Sequence, residues 1–253
     1  MSKTLLIDGD LLLYKFACGN EEVYDWGDGI ISSSVDLKSA KEEIPKFYQK
    51  LLEATECDSG LLCFSCDKEE NFRYQVLPTY KHNRQDREKP TLYYDVKQYL
   101  MNHFDTKIKP TIEADDIMGI MATLHPEKYV IASFDKDLRQ IPGEHYDWVK
   151  EDYYTITEVE ADYWFYTQIL IGDPCDGYKG CPGIGKKKAY GILSGFGILW
   201  PDCLNITWQE IVKAYESKGL TEEDALQQAR VARILRREDW DFKRQEVKLW
   251  TPK

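Results

Sequence analysis

Three short apolar runs punctuate the first half of the chain, and each runs out onto an acid. Residues 4–8 (Thr-Leu-Leu-Ile-Asp), 60–66 (Gly-Leu-Leu-Cys-Phe-Ser-Cys) and 128–133 (Lys-Tyr-Val-Ile-Ala-Ser) lead to Asp8, Asp67 and Asp135. Continuous apolar runs of this length, separated by helical stretches, read as parallel strands buried on both faces. Between them the period changes. Leu37, Ala40, Ile44, Phe47, Tyr48, Leu51 and Leu52 recur at spacings of three and four, which predicts an amphipathic helix over 36–55. Residues 91–104 and 111–124 read as two more helices. The alternation predicts an α/β fold with a central, mostly parallel sheet flanked by helices. From about residue 160 the character becomes helical: an aromatic-rich helix over 161–171, a Gly-rich turn over 176–185, a lysine-led helix, then more helix over 207–237. An α/β core over 1–160 and a helical region over 161–253 are therefore expected.

In parallel sheets ligands gather at the carboxyl ends of the strands, which is where Asp8, Asp67 and Asp135 fall. Glu113, Asp115 and Asp116 fall in the first turn of the 111–124 helix, where the helix dipole favours negative charge. Asp137 follows Asp135, and Asp173 and Asp176 follow Gly172, making nine acids in five clusters. So many carboxylates cannot share a pocket as bare anions, because each raises the pKa of the next. Divalent cations remove the repulsion, and hard oxygen ligands select Mg²⁺ or Mn²⁺, two ions for this many donors. Helix capping would explain one acid at one strand-to-helix junction, but not five junctions with doubled acids. Asp10, followed by Leu-Leu-Leu-Tyr-Lys-Phe-Ala, is read as such a cap.

Gly180-Cys-Pro-Gly-Ile-Gly185-Lys186-Lys187 nearly matches a nucleotide-binding P-loop. Lys187 stands where the metal-holding hydroxyl belongs, however, and the turn follows a helix instead of a strand. The better reading is helix–hairpin–helix. Gly183 and Gly185 let the backbone approach a phosphate, amides of the next helix receive it, and Lys186, Lys187 and Lys188 add sequence-independent attraction. A second basic stretch, Arg73, Lys81, Arg84, Arg87 and Lys89, is interleaved with Phe72, Tyr74, Tyr80 and His82, a mixture suited to phosphates and unstacked bases. The tail from Thr207, with Arg230, Arg233, Arg236 and Arg237, is compatible with clamping DNA, contacting a partner or packing.

The net charge of −11 argues against indiscriminate nucleic-acid binding over the whole surface, although residues 177–197 carry no acid at all. Seven scattered cysteines and an opening without a signal-peptide core suggest a reducing cytoplasmic setting, and no apolar run reaches membrane-spanning length. Cys63-Phe-Ser-Cys66 lacks a second pair at zinc spacing and reads as half-buried thiols at a strand end.

Taken in order, Asp8-Gly9, Tyr80-Lys81-x-x-Arg84, Glu113-Ala-Asp115-Asp116, Ser133-x-Asp135-x-Asp137, Gly172-Asp173-x-x-Asp176 and Gly180-x-Pro-Gly-Ile-Gly185 resemble the 5′-nuclease family. That family comprises flap endonucleases, phage 5′→3′ exonucleases and the 5′-nuclease domain of bacterial DNA polymerase I. The resemblance runs from Leu5 to about Gly195, and a chain with no polymerase part looks most like a phage-encoded member. It implies a PIN-like core with a short helical arch at about 72–104 and a helix–hairpin–helix that holds duplex DNA, in many members with a bound K⁺. It also implies a monomeric Mg²⁺-dependent 5′→3′ exonuclease or flap endonuclease of the host-cell cytoplasm. Such an enzyme acts on DNA with a 5′ end, nick or flap, in replication, repair or primer removal. Asp8, Asp67, Glu113, Asp115 and Asp116 match the first metal group; Asp135, Asp137, Asp173 and Asp176 match the second. Lys81 and Arg84 match the basic pair near the scissile phosphate.

Two departures stand out. Only 31 residues separate Lys81 from Glu113, which shortens the arch, and Gly177-Tyr178-Lys179 replaces the usual continuation after the second acid. Two rival readings are a PIN-type ribonuclease, which has fewer acids and no hairpin, and a structure-specific DNA-binding protein without cleavage, which would be expected to have lost carboxylates. Action on RNA–DNA hybrids depends on a 2′-hydroxyl contact that the sequence does not reveal.

Overall fold

A computed structural model describes residues 2–19, 21–25, 31–84, 88–194 and 204–252. The first apolar run is β1 (Thr4–Asp8), which passes directly into α1 (Gly9–Gly19). A hairpin of β2 (Glu21–Asp25) and β3 (Ile31–Val35) leads to α2 (Leu37–Thr55), capped by Asp36, whose carboxylate accepts from the Ser39 amide at 2.9 Å. The core continues through β4 (Ser59–Phe64), the short α3 (Arg73–Val76), α4 (Tyr93–His103), β5 (Thr106–Ile108) and α5 (Ala114–Leu124). It closes with β6 (Tyr129–Ala132), β7 (Gly143–Asp147) and β8 (Asp152–Ile156). Helices α6 (Glu158–Ile171), α7 (Lys186–Ser194), α8 (Leu204–Glu216) and α9 (Glu222–Ala232) follow, and a small pair, β9 (Trp240–Asp241) with β10 (Glu246–Val247), comes last.

The main sheet has the order β5-β4-β1-β6-β7-β8. All its pairings are parallel except that of β8, which returns antiparallel beside β7. The central strands are buried on both faces, and their period of two sorts the side chains. Leu5, Ile7, Leu62, Phe64, Val130 and Ala132 face a core built with α1, α2 and α4. Leu6, Cys63 and Ile131 face the opposite core with α5, and there Ile234, Leu235 and Trp240 from the C-terminal segment close the layer. A third core joins α6, α7, α8 and α9.

Three expectations change. The helices expected over 207–237 stop at Ala232, and of the three roles left open for the arginines beyond, Arg233 and Arg236 take that of packing. Arg233 and Arg236 are buried, pairing with Asp239 at 2.8 Å and Asp162 at 2.8 Å. Arg73, expected to meet phosphate, is likewise buried, against Asp116. The arch stretch sketched at 72–104 ends in α4, whose Tyr93, Val96 and Leu100 belong to the first core. Arg87 lies outside the described residues. The Cys63 and Cys66 thiols are free, and burial pushes the Cys66 thiol up to about 12, so neither is poised for redox or metal chemistry. No helix among the described residues is long and apolar enough to cross a membrane.

Candidate metal centre

β1, β4 and β6 run parallel and in register, so their carboxyl ends emerge side by side. Asp8 is the last residue of β1 and only 3 % exposed. Its Oδ1 accepts from the Leu11 amide at 3.0 Å and its Oδ2 from the Ser133 hydroxyl, beyond β6, at 3.1 Å. Asp8 therefore caps α1. Asp10, read from the sequence as that cap, instead accepts from the Ser65 amide at the end of β4, at 3.1 Å.

α5 delivers the next acids. Glu113 is its N-cap, and a capping box with Asp116 fixes the first turn. Asp115, one residue into the helix, lies close enough to Asp8 and Asp135 for the three to repel one another. Asp135 opens the 3₁₀ turn Lys136–Gln140 and accepts from the Asp137 amide at 2.8 Å. Asp173 and Asp176 sit in the turn after α6, where Lys136 Nζ reaches Asp173 at 2.7 Å and Asp137 at 3.3 Å. The backbone amide of Lys81 donates to the Asp176 carbonyl at 2.8 Å, which brings the basic pair to the same turn. Lys81 Nζ then contacts Glu113 at 2.6 Å and Asp176 at 3.8 Å, while Arg84 contacts Asp176 at 2.5 Å. The Tyr80 hydroxyl bridges Glu113 and Asp176 at 3.1 and 3.2 Å.

The electrostatics divide these acids. Burial works to raise the Glu113 carboxyl, but Lys81 and Arg73 outweigh it and hold it at about 2. Asp173 is also held low, because the bonds from Lys136 and the Cys175 amide overcome its burial. The opposite holds where burial and neighbouring acids outweigh any cation, as they outweigh Lys136 at Asp137. Burial, with Asp10 and Asp135 nearby, pushes Asp8 up to about 7; burial and Asp135 push Asp137 to about 6. Asp115 is driven well above the usual carboxylate range by burial and by Asp8, and no described residue donates a hydrogen bond to it. Desolvated, mutually repelling oxygen donors without a counter-charge are the chemistry a hard divalent ion completes. Among the described residues no group of three or more acid, histidine or cysteine side chains is drawn close enough together to hold a metal ion as it stands.

Two of the nine stand apart. Asp116 is 0 % exposed, and both its oxygens are engaged, one by Arg73 and the Leu235 amide, the other by Arg73 and the Glu113 amide. Its carboxylate faces the C-terminal segment, so it corrects the expectation of a metal ligand and serves as a structural anchor. Asp67 is exposed at the rim, before the 3₁₀ turn Lys68–Glu70. Sequence reasoning passed over Lys136, which lies between two of the acids, and Asn71, which holds Glu113 at 2.9 Å and has no local signature.

The hairpin lies in the turn between α6 and α7. Gly183 has φ +74°, and no atom stands within 4 Å of where a side chain would begin at Gly183 or Gly185. Lys186, Lys187 and Lys188 are exposed at the start of α7, and Lys188 Nζ turns back to donate to the Gly183 carbonyl at 2.8 Å.

Residues 3–164 match the family described as 5′-3′ exonuclease, N-terminal resolvase-like domain. The chain is 30% identical to the exodeoxyribonuclease of Enterobacteria phage T3, over 98% of this chain and 93% of that protein. It is 30% identical to the exonuclease of Escherichia phage T7, with the same coverage. Among solved structures, the T5 D15 protein co-crystallised with metal ions shares the fold, with a TM-score of 0.65 at 18% identity over 91% of this chain and 88% of that one. T5 5′-exonuclease with bound zinc does so at 0.66 and 17%, over 91% of this chain and 89% of that one. With its acids gathered at the parallel strand ends and its hairpin beyond α6, the chain belongs to the 5′-3′ exonuclease family.

Proposed function

We propose that the protein is a Mg²⁺-dependent 5′-nuclease that hydrolyses DNA phosphodiesters at 5′ ends, nicks or flaps, in DNA replication, repair or primer removal. One observation carries this reading: the buried, mutually repelling Asp8 and Asp115 share a site with Glu113 and Asp176, which the Lys81–Arg84 pair contacts. Asp8, Asp115 and Asp135 would hold one ion, Asp137, Asp173 and Asp176 a second, with Glu113 between them and Asp67 at the rim. Bound there, two divalent ions supply an activated water and neutralise the leaving oxygen. Lys81 and Arg84 meet the non-bridging oxygens of the scissile phosphate and stabilise charge that grows in the transition state. The helical region holds the duplex while the α/β core cuts. Its open Gly183 and Gly185 backbone, with Lys186 and Lys187, receives phosphate, and the hairpin carbonyls are the place for a K⁺ ion.

The test is a time course on 5′-labelled nicked, flapped and blunt duplexes with Mg²⁺ or EDTA. Short 5′ products appear only with Mg²⁺, and Asp115→Asn lowers the rate by more than roughly a hundredfold, the scale of losing one electrostatic stabiliser in a dry site. Duplex binding by that variant in EDTA is unchanged. Tight binding with no cleavage under any divalent ion would replace the nuclease reading by that of a DNA-binding protein.

A further inference from the structure

Behind the acids, a buried chain of amides runs from the C-terminal segment to Asp137. Gln140, in the turn after Asp137, is 1 % exposed, and Gln168, on α6, is 2 % exposed. The Ile234 amide donates to Gln140 Oε1 at 3.1 Å, while Gln140 Nε2 donates to the Ala232 carbonyl at 2.7 Å and to Gln168 Oε1. Gln168 Nε2 in turn donates to Asp137 Oδ1 at 2.6 Å. The polarity of this chain has one solution. A backbone amide can only donate and a carbonyl can only accept, so Ile234 and Ala232 fix which end of Gln140 is oxygen and which is nitrogen. Gln140 then fixes Gln168, which must present its N–H to Asp137.

The consequence falls on the carboxylate. Asp137 Oδ1 is taken by Gln168 and lies 3.3 Å from Lys136 Nζ, while Oδ2 receives no hydrogen bond from any described residue. The same C-terminal segment reaches the other acids independently. Arg73 donates to the carbonyls of Val231 at 3.0 Å and Arg233 at 2.6 Å, and Leu235 donates to Asp116, which anchors the Glu113 amide.

We propose that Gln168 is a positioning residue for Asp137, oriented through Gln140 by the backbone at Ala232 and Ile234, so that one oxygen of Asp137 is left free for a divalent ion. This rests on the reading of Asp137 as a ligand. An amide that merely satisfied a buried hydrogen bond would affect stability alone. One that aims a ligand also affects metal affinity, where removing such a partner typically weakens binding roughly 10- to 100-fold.

Mn²⁺ alone is titrated calorimetrically into the full chain, wild type, Gln168→Met, Asp137→Asn and the double variant, with hairpin-duplex affinity in EDTA as the check on folding. Gln168→Met keeps the unbranched shape and removes the donor. The expected result is a tenfold or greater loss of Mn²⁺ affinity with DNA affinity unchanged, and a double variant no weaker than Asp137→Asn. Wild-type Mn²⁺ affinity in Gln168→Met, with Asp137→Asn impaired, overturns the positioning role while leaving the ligand in place. An Asp137→Asn variant that binds Mn²⁺ as the wild type does removes the ligand reading itself. Should Gln168→Met lose DNA binding in EDTA, Gln168→Glu replaces it: it still accepts from Gln140 but opposes Asp137, and a wild-type Mn²⁺ affinity there overturns the proposal.

Discussion

Asp115 and Asp8 make the metal-free protein pay for its site in stability. Each carboxyl ionises less readily in the folded protein than in the unfolded chain, whose Asp groups titrate near 3.8, because burial and neighbouring acids oppose the charge. Protonation therefore favours the folded state, and the penalty grows as pH rises from the unfolded value; the share from Asp8 is full once it has titrated at about 7, and Asp115 adds in the same direction. Thermal melting in EDTA should accordingly occur at higher temperature at pH 6 than at pH 8. Mg²⁺ should raise the melting temperature more at pH 8, since at pH 6 it competes with protons on Asp8 and Asp137. Asp115→Asn in EDTA at pH 8 should melt above the wild type by several degrees, about 2–4 °C for each kcal/mol in a chain of this size. A lower melting point would mean that the carboxylate is not strained. Lys81 works on the opposite side of the balance. Lys81→Ala removes one of the two cations from each of Glu113 and Asp176, and should lower the single-turnover rate by roughly a hundredfold while duplex affinity changes little. Equal losses in rate and affinity would reduce Lys81 to a binding contact.

Among the elements, the turn after Asp176 is where the two halves of the site are pressed together. A side chain at Gly177, where φ is +76°, would begin 3.1 Å from the Thr79 carbonyl and 3.3 Å from the Lys81 amide. Gly177→Ala should thus shift the loop that carries Lys81, costing about 1–2 kcal/mol in stability through strain and displacement. It should cost proportionately more in cleavage than in duplex binding, and a thermal melt beside a single-turnover assay measures both. β1, β4, β6 and α2 were legible because each writes its period in apolar residues, and the positions of Asp8, Asp67 and Asp135 were legible because they follow β1, β4 and β6. What was not legible is what each carboxylate faces. Asp8 and Asp10 are both acids at one strand-to-helix junction; only the Leu11 and Ser65 amides show that the first is the cap. Asp116 lies in a run of acids like its neighbours, and its partner Arg73 looks like any other member of a basic stretch. Their pairing spans 43 positions, beyond the reach of local pattern. Gln168 and Gln140 carry no charge pattern at all, so the amide chain to Asp137 emerges only from the packing of α6 on the C-terminal segment.

For the molecule as a whole, charge is segregated. An acidic protein of net −11 presents an acid-free basic hairpin segment, and on the proposed reading DNA is attracted there and repelled from most of the remaining surface. Exposed Lys187 makes no ion pair among the described residues, and Lys187→Ala should weaken binding of all duplexes alike. It should also reduce the slope of log affinity against log salt by about 1, as expected for one lost phosphate contact. An unchanged slope would place the duplex elsewhere. The segment from Val231 to Arg236 has a further consequence, one of timing. Every one of the nine acids from Asp8 to Asp176 is synthesised before it, yet the partners of Asp116 and Gln140 are complete only when it arrives. A chain cut short before this stretch keeps the nine acids but lacks these contacts, and it is expected to bind Mn²⁺ more weakly than the full chain, which a titration of the two checks.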